Sequence, residues 1–216
     1  MKTNADIDFD LTIDPLAYQT RGIESEMEKD ISMLRKYTNR IAINSISLTT
    51  EMLSADLRAI SNFSFLILAL PHPECSFEWL RVIVDFEAFP GAKIEDYIPK
   101  SKKSDQPVKY TVSSEHGLKF EATTIKLGPS YQRKETEEHS VYFDEIRSGG
   151  LGSRKLNWDF VQQSASKLSL QNILLTKISH AALGHPAAPV ISVEARLTID
   201  GWKSNIPLIG SKIIAL

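Results

Sequence analysis

FEWLRVIVDF, residues 77–86, alternates with a period of two. Leu80, Val82, Val84 and Phe86 fall on one side of an extended chain, Arg81 and Asp85 on the other, with Glu87 continuing the polar side. That pattern predicts a strand with one face in a core and one in water. Upstream, FSFLILALP (63–71) is a continuous apolar run closed by Pro71 and Pro73 and reads as a buried strand. Before it, IAINSISL (41–48) places Ile41 and Ile43 on one face and Ile46 and Leu48 on the same face only after a one-residue phase shift. That shift predicts a bulge. The intervening TEMLSADLRAIS (50–61) reads as a short helix or a loop.

Downstream, Pro90-Gly91 turns the chain. Further strands are predicted at KIEDYI (93–98), VKYTV (108–112), GLKFEATTIKL (117–127), VYFDEI (141–146), KLNWDFV (155–161) and 168–178. VISVEARLTI (190–199) and WKSNIPL (202–208) are joined by Asp200-Gly201, a hairpin signal. Residues 164–183 fit a helix or a strand by periodicity. The polar stretches 99–107 and 128–139 read as exposed loops. About ten short strands without a βαβ rhythm or a 20–50-residue repeat predict a mainly β protein. The expected fold is an antiparallel β-sandwich, immunoglobulin-like or jelly-roll-like, over 41–216. It becomes α+β if 164–183 is helical.

Residues 1–40 form an extension to that domain. In DIDFDLTID (6–14), Ile7, Phe9, Leu11 and Ile13 alternate with Asp6, Asp8, Asp10, Thr12 and Asp14. The D-x-D-x-D opening suggests a calcium loop, but Leu11 stands where the sharp turn needs Gly, and Ala17 where a bidentate Glu is needed. A strand with an acidic wet face fits better. Its apolar face can join a sheet edge of its own domain, of a second copy or of another protein. Ile23, Met27, Ile31 and Leu34 then follow at spacings of four, four and three, a helical stripe over about 22–38, with acids in the first half and bases at the end.

Composition bounds the function. The 216 residues are 42% hydrophobic and 24% charged, as in a globular protein with a real core. A net charge of -2 gives no footprint for nucleic acid. The single cysteine, Cys75, supports neither an internal disulfide nor a cysteine-built zinc site, which favours a reducing, cytoplasmic setting. The first residues lack a signal-peptide pattern, and FLILAL (65–70) is too short to span a bilayer.

No H-E-x-x-H, G-x-S-x-G, Walker A or kinase motif is present. His72 and Cys75 in PHPEC could pair as base and nucleophile in a hydrolase but lack an orienting group. His180 and His185 in HAALGH lack a carboxylate at ligand spacing. KSKKS (100–104) has no interleaved aromatics. RSGGLGSRK (147–155) does not fit a phosphate loop, but Arg147, Arg154 and Lys155 can meet an anion. Trp79, Trp158 and Trp202 lie in or beside predicted strands, where burial is the usual fate; a sugar-stacking face would need them exposed together.

The expected function is a non-catalytic interaction or assembly module without cofactor or metal. Its partner is another protein or a second copy, met through Ile7, Phe9, Leu11, Ile13, Ile23, Met27, Ile31 and Leu34. The alternative is a carbohydrate- or lipid-binding sandwich using the loops 99–107, 128–139 and 147–155.

Overall fold

The computed structural model describes residues 2–3, 7–53, 58–103, 108–113, 136–141, 144–162, 168, 170–182, 187–202 and 205–214. In chain order the elements are β1 (Lys2–Thr3), β2 (Ile7–Asp8), β3 (Thr12–Ile13), α1 (Pro15–Arg21), α2 (Glu24–Leu34), β4 (Arg40–Leu53), β5 (Arg58–Leu70), β6 (Cys75–Asp85) and β7 (Lys93–Ile98). There follow β8 (Lys102–Lys103), β9 (Val108–Ser113), β10 (Thr136–Val141), β11 (Asp144–Gly149), β12 (Lys155–Val161), β13 (Leu170–Ala181), β14 (Val190–Ile199) and β15 (Ile206–Ile213).

All the paired strands are antiparallel. One sheet runs β1-β4-β5-β13-β7, with β2 also on the edge of β4; the other runs β3-β15-β14-β6-β12-β11-β8; β9 and β10 pair separately. The expected antiparallel sandwich is what the chain forms. Residues 170–181 are strand, which removes the α+β alternative.

The alternation seen in 77–86 works as expected: Leu80, Val82, Val84 and Phe86 are fully buried. They meet the inward row Phe63, Phe65 and Ile67 of β5, also buried. Aromatic edges lock the layers together. Phe63 meets Phe86 edge-on at 5.9 Å, and Phe65 meets Trp158 edge-on at 6.5 Å, both geometries that ring quadrupoles favour. Trp158 donates its indole N–H to the Pro99 carbonyl at 3.0 Å, so its one polar atom is satisfied inside.

Several sequence expectations need correction. The phase shift in 41–48 is a bulge, with Ser45 at φ 52° and the register broken between Asn44 and Ser47. But 50–53 and 58–61, expected as helix or loop, continue β4 and begin β5. Extended backbone persists there because Thr50, Glu51 and Met52 pair with Ser61, Ile60 and Ala59. The expected loops also shrink. Residues 102–103 and 136–139 are strand, and the turn within 147–155 spans only 150–154. The predicted strand 117–127 lies outside the described residues, as do 104–107 and 128–135 of the two loops.

The helix expected over 22–38 is α2, shorter at both ends, and a second helix, α1, which the periodicity did not predict, precedes it. Asp14 caps α1 by accepting the Leu16 amide at 3.0 Å, and Pro15 occupies the first turn. Gly22 ends α1 in the left-handed conformation at φ 66°. Met33, Leu34 and Tyr37 pack against the core. Asp30, buried in α2, accepts from the Tyr18 hydroxyl at 2.5 Å and the Trp202 indole at 2.7 Å. One carboxylate thus joins both helices to the loop between β14 and β15.

The stretch 7–14 answers for both sheets. Ile7 and Asp8 pair with Ile43 and Ala42 at the edge of one sheet; Thr12 and Ile13 pair with Ile209 and Leu208 at the edge of the other. Between them Phe9 turns inward and is buried. The wet face is held on both sides, by Asp8 with Arg40 at 2.5 Å and Asp10 with Lys212 at 2.6 Å. These aspartates are spent on the two sheets, not gathered round an ion; Asp6 lies outside the described residues.

Two predictions follow from this frame. Phe9→Ala costs about 3–5 kcal/mol of stability, since it opens a cavity where the strap crosses between sheets. A lowered urea midpoint at unchanged slope is the expected result. The second concerns alkaline pH. Burial, then the hydrogen bond to Asp30 and its charge, push the Tyr18 phenol well above its ordinary value of 10.0. The folded chain keeps that proton after the unfolded chain has lost it. Tyr18 therefore adds stability that is complete below pH 10 and drains away as pH rises further. Tyr18→Phe flattens the alkaline limb of a stability-against-pH curve.

Candidate functional site

The sequence-predicted residues are not brought together. Ile7, Phe9, Leu11 and Ile13 line the strap and pack on the chain's own core, and Leu34 does the same from α2. Ile23, Met27 and Ile31 are half-buried on the helical segment. Of the three edges open to the 6–14 strand, the structure places it on its own domain.

The basic residues of 147–155 stand apart from one another. Arg154 meets Glu87 at 3.4 Å and Lys155 meets Asp85 at 2.8 Å. Arg147 sits on β11 opposite Asp159 in register. The glycines there serve the backbone. A Cβ on Gly150 would lie 2.2 Å from the Lys155 carbonyl at φ 132°, which only glycine tolerates. The turn in turn docks on β7, where the Ile94 amide donates to the Ser153 carbonyl and Gly152 donates to the Ile94 carbonyl.

Cys75 opens β6 with no exposed surface, paired in register with Ile199. His72 Nδ1 accepts the Glu74 amide at 3.2 Å, and its ring lies 5.0 Å from that of Tyr37. A substrate cannot reach the sulfur without opening the strand. His180 is buried too: Nε2 meets Ser61 Oγ at 2.8 Å, Ser61 Oγ meets Thr50 Oγ1 at 2.7 Å, and Nδ1 meets the Ala181 carbonyl at 2.7 Å. The carbonyl accepts, so Nδ1 carries the proton and Nε2 accepts from Ser61. This is a polar chain inside the core; His185 lies outside the described residues.

The three tryptophans divide. Trp158 is core, Trp202 is tied to Asp30, and Trp79 faces outward and lines a cleft of about 670 Å³ with Glu78, Val161, Gln162 and Arg196. A bulge builds this cleft. Along β6 and β14 the register steps from Arg196 opposite Trp79 to Leu197 opposite Phe77, leaving Glu78 as the extra residue. Two consecutive side chains, Glu78 and Trp79, therefore reach the outer face, an aim that regular alternation forbids. Gln162 fixes the extra residue by donating its amide to the Glu78 carbonyl at 2.9 Å.

Two guanidinium groups approach the Trp79 ring, Arg81 at 5.0 Å and Arg196 at 5.7 Å, within cation–π reach. They differ in charge balance. Arg81 donates twice to Asp159, at 2.6 and 3.1 Å, and lies 3.6 Å from Glu194. The hydrogen bond to Asp159 pushes the Arg81 guanidinium still higher in pKa. Among the described residues no carboxylate lies within ion-pairing distance of Arg196, which is exposed. The described residues contain no group of three or more His, Cys, Asp or Glu that could hold a metal ion.

Sequence reading missed this site because it treats each strand alone. The residue types were visible, but the pairing of Trp79 with Arg196 spans 117 positions and depends on register. The one local signal was Glu78-Trp79, a polar-then-large break at the start of an otherwise regular alternation.

No protein-family model matches the chain, and no curated protein matches it by sequence. Among solved structures the chain is similar to a pore forming protein, with a TM-score of 0.39 and 9% identity over 83% of each chain. It is also similar to the Clostridium perfringens NetB toxin in the membrane inserted form, with a TM-score of 0.35 and 8% identity over 98% of this chain and 92% of that one. The collagen-binding domain from a Staphylococcus aureus adhesin gives a TM-score of 0.23 and 8% identity over 77% of this chain and 95% of that one. Values this low bear on neither activity nor ligand. No described helix is long and apolar enough to cross a membrane.

The burial of Cys75 has a direct test. A thiol-reactive disulfide reagent is expected to find no reactive sulfur in the native chain and one per chain after denaturation. Rapid native reaction would show that β6 opens at its start.

Proposed function

We propose that this chain is a non-catalytic recognition domain that receives an anionic group of a ligand or partner in the Trp79–Arg196 cleft. One observation carries the reading: Arg196 lies over the Trp79 ring in an open cleft without a carboxylate partner among the described residues. A stacked guanidinium is already oriented, so less rotamer freedom is lost when it binds. Its N–H fork matches carboxylate, sulfate or phosphate oxygens. The ring and Val161 offer flat apolar surface beside that charge, the mixture of apolar wall and few polar groups found in ligand clefts.

The cleft supports binding better than chemistry. Among the described residues its lining holds one carboxylate and one guanidinium but no histidine, cysteine or serine. Nothing there is placed to attack or to pass a proton between two groups.

The test is a thermal melt in increasing inorganic sulfate at constant ionic strength. The expected result is a concentration-dependent rise in Tm for the native sequence, reduced at least severalfold in Arg196→Gln. Trp79→Leu also weakens the effect, because it removes the surface that orients the guanidinium. An equal rise in the native chain and in Arg196→Gln would overturn the reading.

A further inference from the structure

The cleft carries a second charge that anion binding leaves unused. Glu78 lines it together with Arg196, and among the described residues the two are not ion-paired with each other. Each is held in place by something else. The Glu78 carboxylate accepts the Asn205 side-chain amide at 2.8 Å, and its backbone carbonyl accepts from Gln162 at 2.9 Å. Arg196 lies over the Trp79 ring. Asn205 is neutral, so it orients the carboxylate without cancelling its charge. The Gln162 side chain accepts from Ser76 Oγ at 3.0 Å.

Opposite charges that share a cleft, stay apart and are separately anchored make a site for a group bearing both signs. From this arrangement, and resting on the cleft reading above, we infer that the ligand is a small zwitterion. Its anionic end meets Arg196, its cationic end meets Glu78, and its body lies on Trp79 and Val161. A simple anion satisfies only half of the site and leaves Glu78 as a like charge nearby. A simple cation meets Arg196 as a like charge. A zwitterion meets neither penalty, and both anchored side chains wait in place for it. The cleft volume of about 670 Å³ exceeds what a single ion fills and suits a small organic molecule.

The experiment uses three matched probes on the full chain: a trimethylammonio-propanesulfonate zwitterion, propanesulfonate and tetramethylammonium. Binding is read from the indole N–H resonance of Trp79, assigned by its loss in Trp79→Phe. The zwitterion is expected to bind about threefold more tightly than propanesulfonate, as one added ion pair in an open cleft would give. Glu78→Gln keeps an acceptor for Asn205 and is expected to erase that margin while leaving propanesulfonate binding in place. Arg196→Gln removes both. Near-UV circular dichroism confirms that each variant keeps the native packing.

Equal binding of zwitterion and anion, or a margin that survives Glu78→Gln, overturns the inference and leaves the anion site standing. No shift with any probe overturns the cleft itself. Vesicles of a zwitterionic lipid, run beside the free headgroup compound, separate a membrane source of the ligand from a soluble one.

Discussion

Each sheet here has one face to bury and two edges to close, and the stretch from Ile7 to Asp14 handles an edge of both. A strand edge left open is a template for other chains. β4 lies at the edge of one sheet and β15 at the edge of the other, and the same short segment pairs with each. It can do so because its period-two pattern changes partner without changing face. Asp8 reaches Arg40 in one sheet and Asp10 reaches Lys212 in the other, while Phe9 fills the space between. The two exposed ion pairs add little on their own. Their use is registration: each fixes a ladder of only two residues that would otherwise be free to slip. The helices then follow directly, with Asp14 serving both as the end of the strap and as the cap of α1.

Much of this was legible in the residues. Alternation named the core face of β6 and placed β12 and β14 as strands, because a strand with one wet face writes its burial into its sequence. The phase shift at 41–48 exposed its bulge for the same reason. What was illegible shares a cause. The strand ends at 50–53 and 58–61 (TEML and RAIS) show no regular alternation and are held extended by their partners across the ladder. Helix α1 is illegible by periodicity because its seven residues are too few to show an apolar stripe, although Asp14-Pro15 and Gly22 are ordinary start and stop signals. The segment 170–181 looks ambiguous alone. It becomes a strand because it lies between β5 and β7 and pairs with both.

The functional residues follow the same rule more severely. A reader of the sequence looks for charge in loops, and the glycine-rich 147–155 stretch offers three bases. In the folded chain Arg154 and Lys155 already have carboxylates, and the loop's glycines let it dock on β7. An open cation stands instead in mid-sheet, where Arg196 would be read as the wet face of a strand. Register makes the difference. Arg81 and Arg196 both approach Trp79, yet Arg81 has Asp159 on one neighbouring strand and Glu194 on the other. Arg196 sits one row further along, beside Val161 and the bulge, where those strands place no acid opposite it.

A site on the face of a central sheet differs in kind from one on loops. Trp79 and Arg196 stand on backbone paired on both sides, so their positions change little when a ligand arrives. That stiffness suits selection by charge pattern, because mismatched charges cannot be relieved by a moving loop. It also explains the cost accepted at Glu78. A bulge breaks the ladder of β6 with β14 at one point, and Gln162 is committed to repairing it. The break also serves the core, because only the extra residue lets Phe77 and Leu80, three positions apart, both face inward and be buried. On the outer face the same bulge sets a carboxylate beside an aromatic ring, opposite a guanidinium, and these are the groups the proposed ligand would meet.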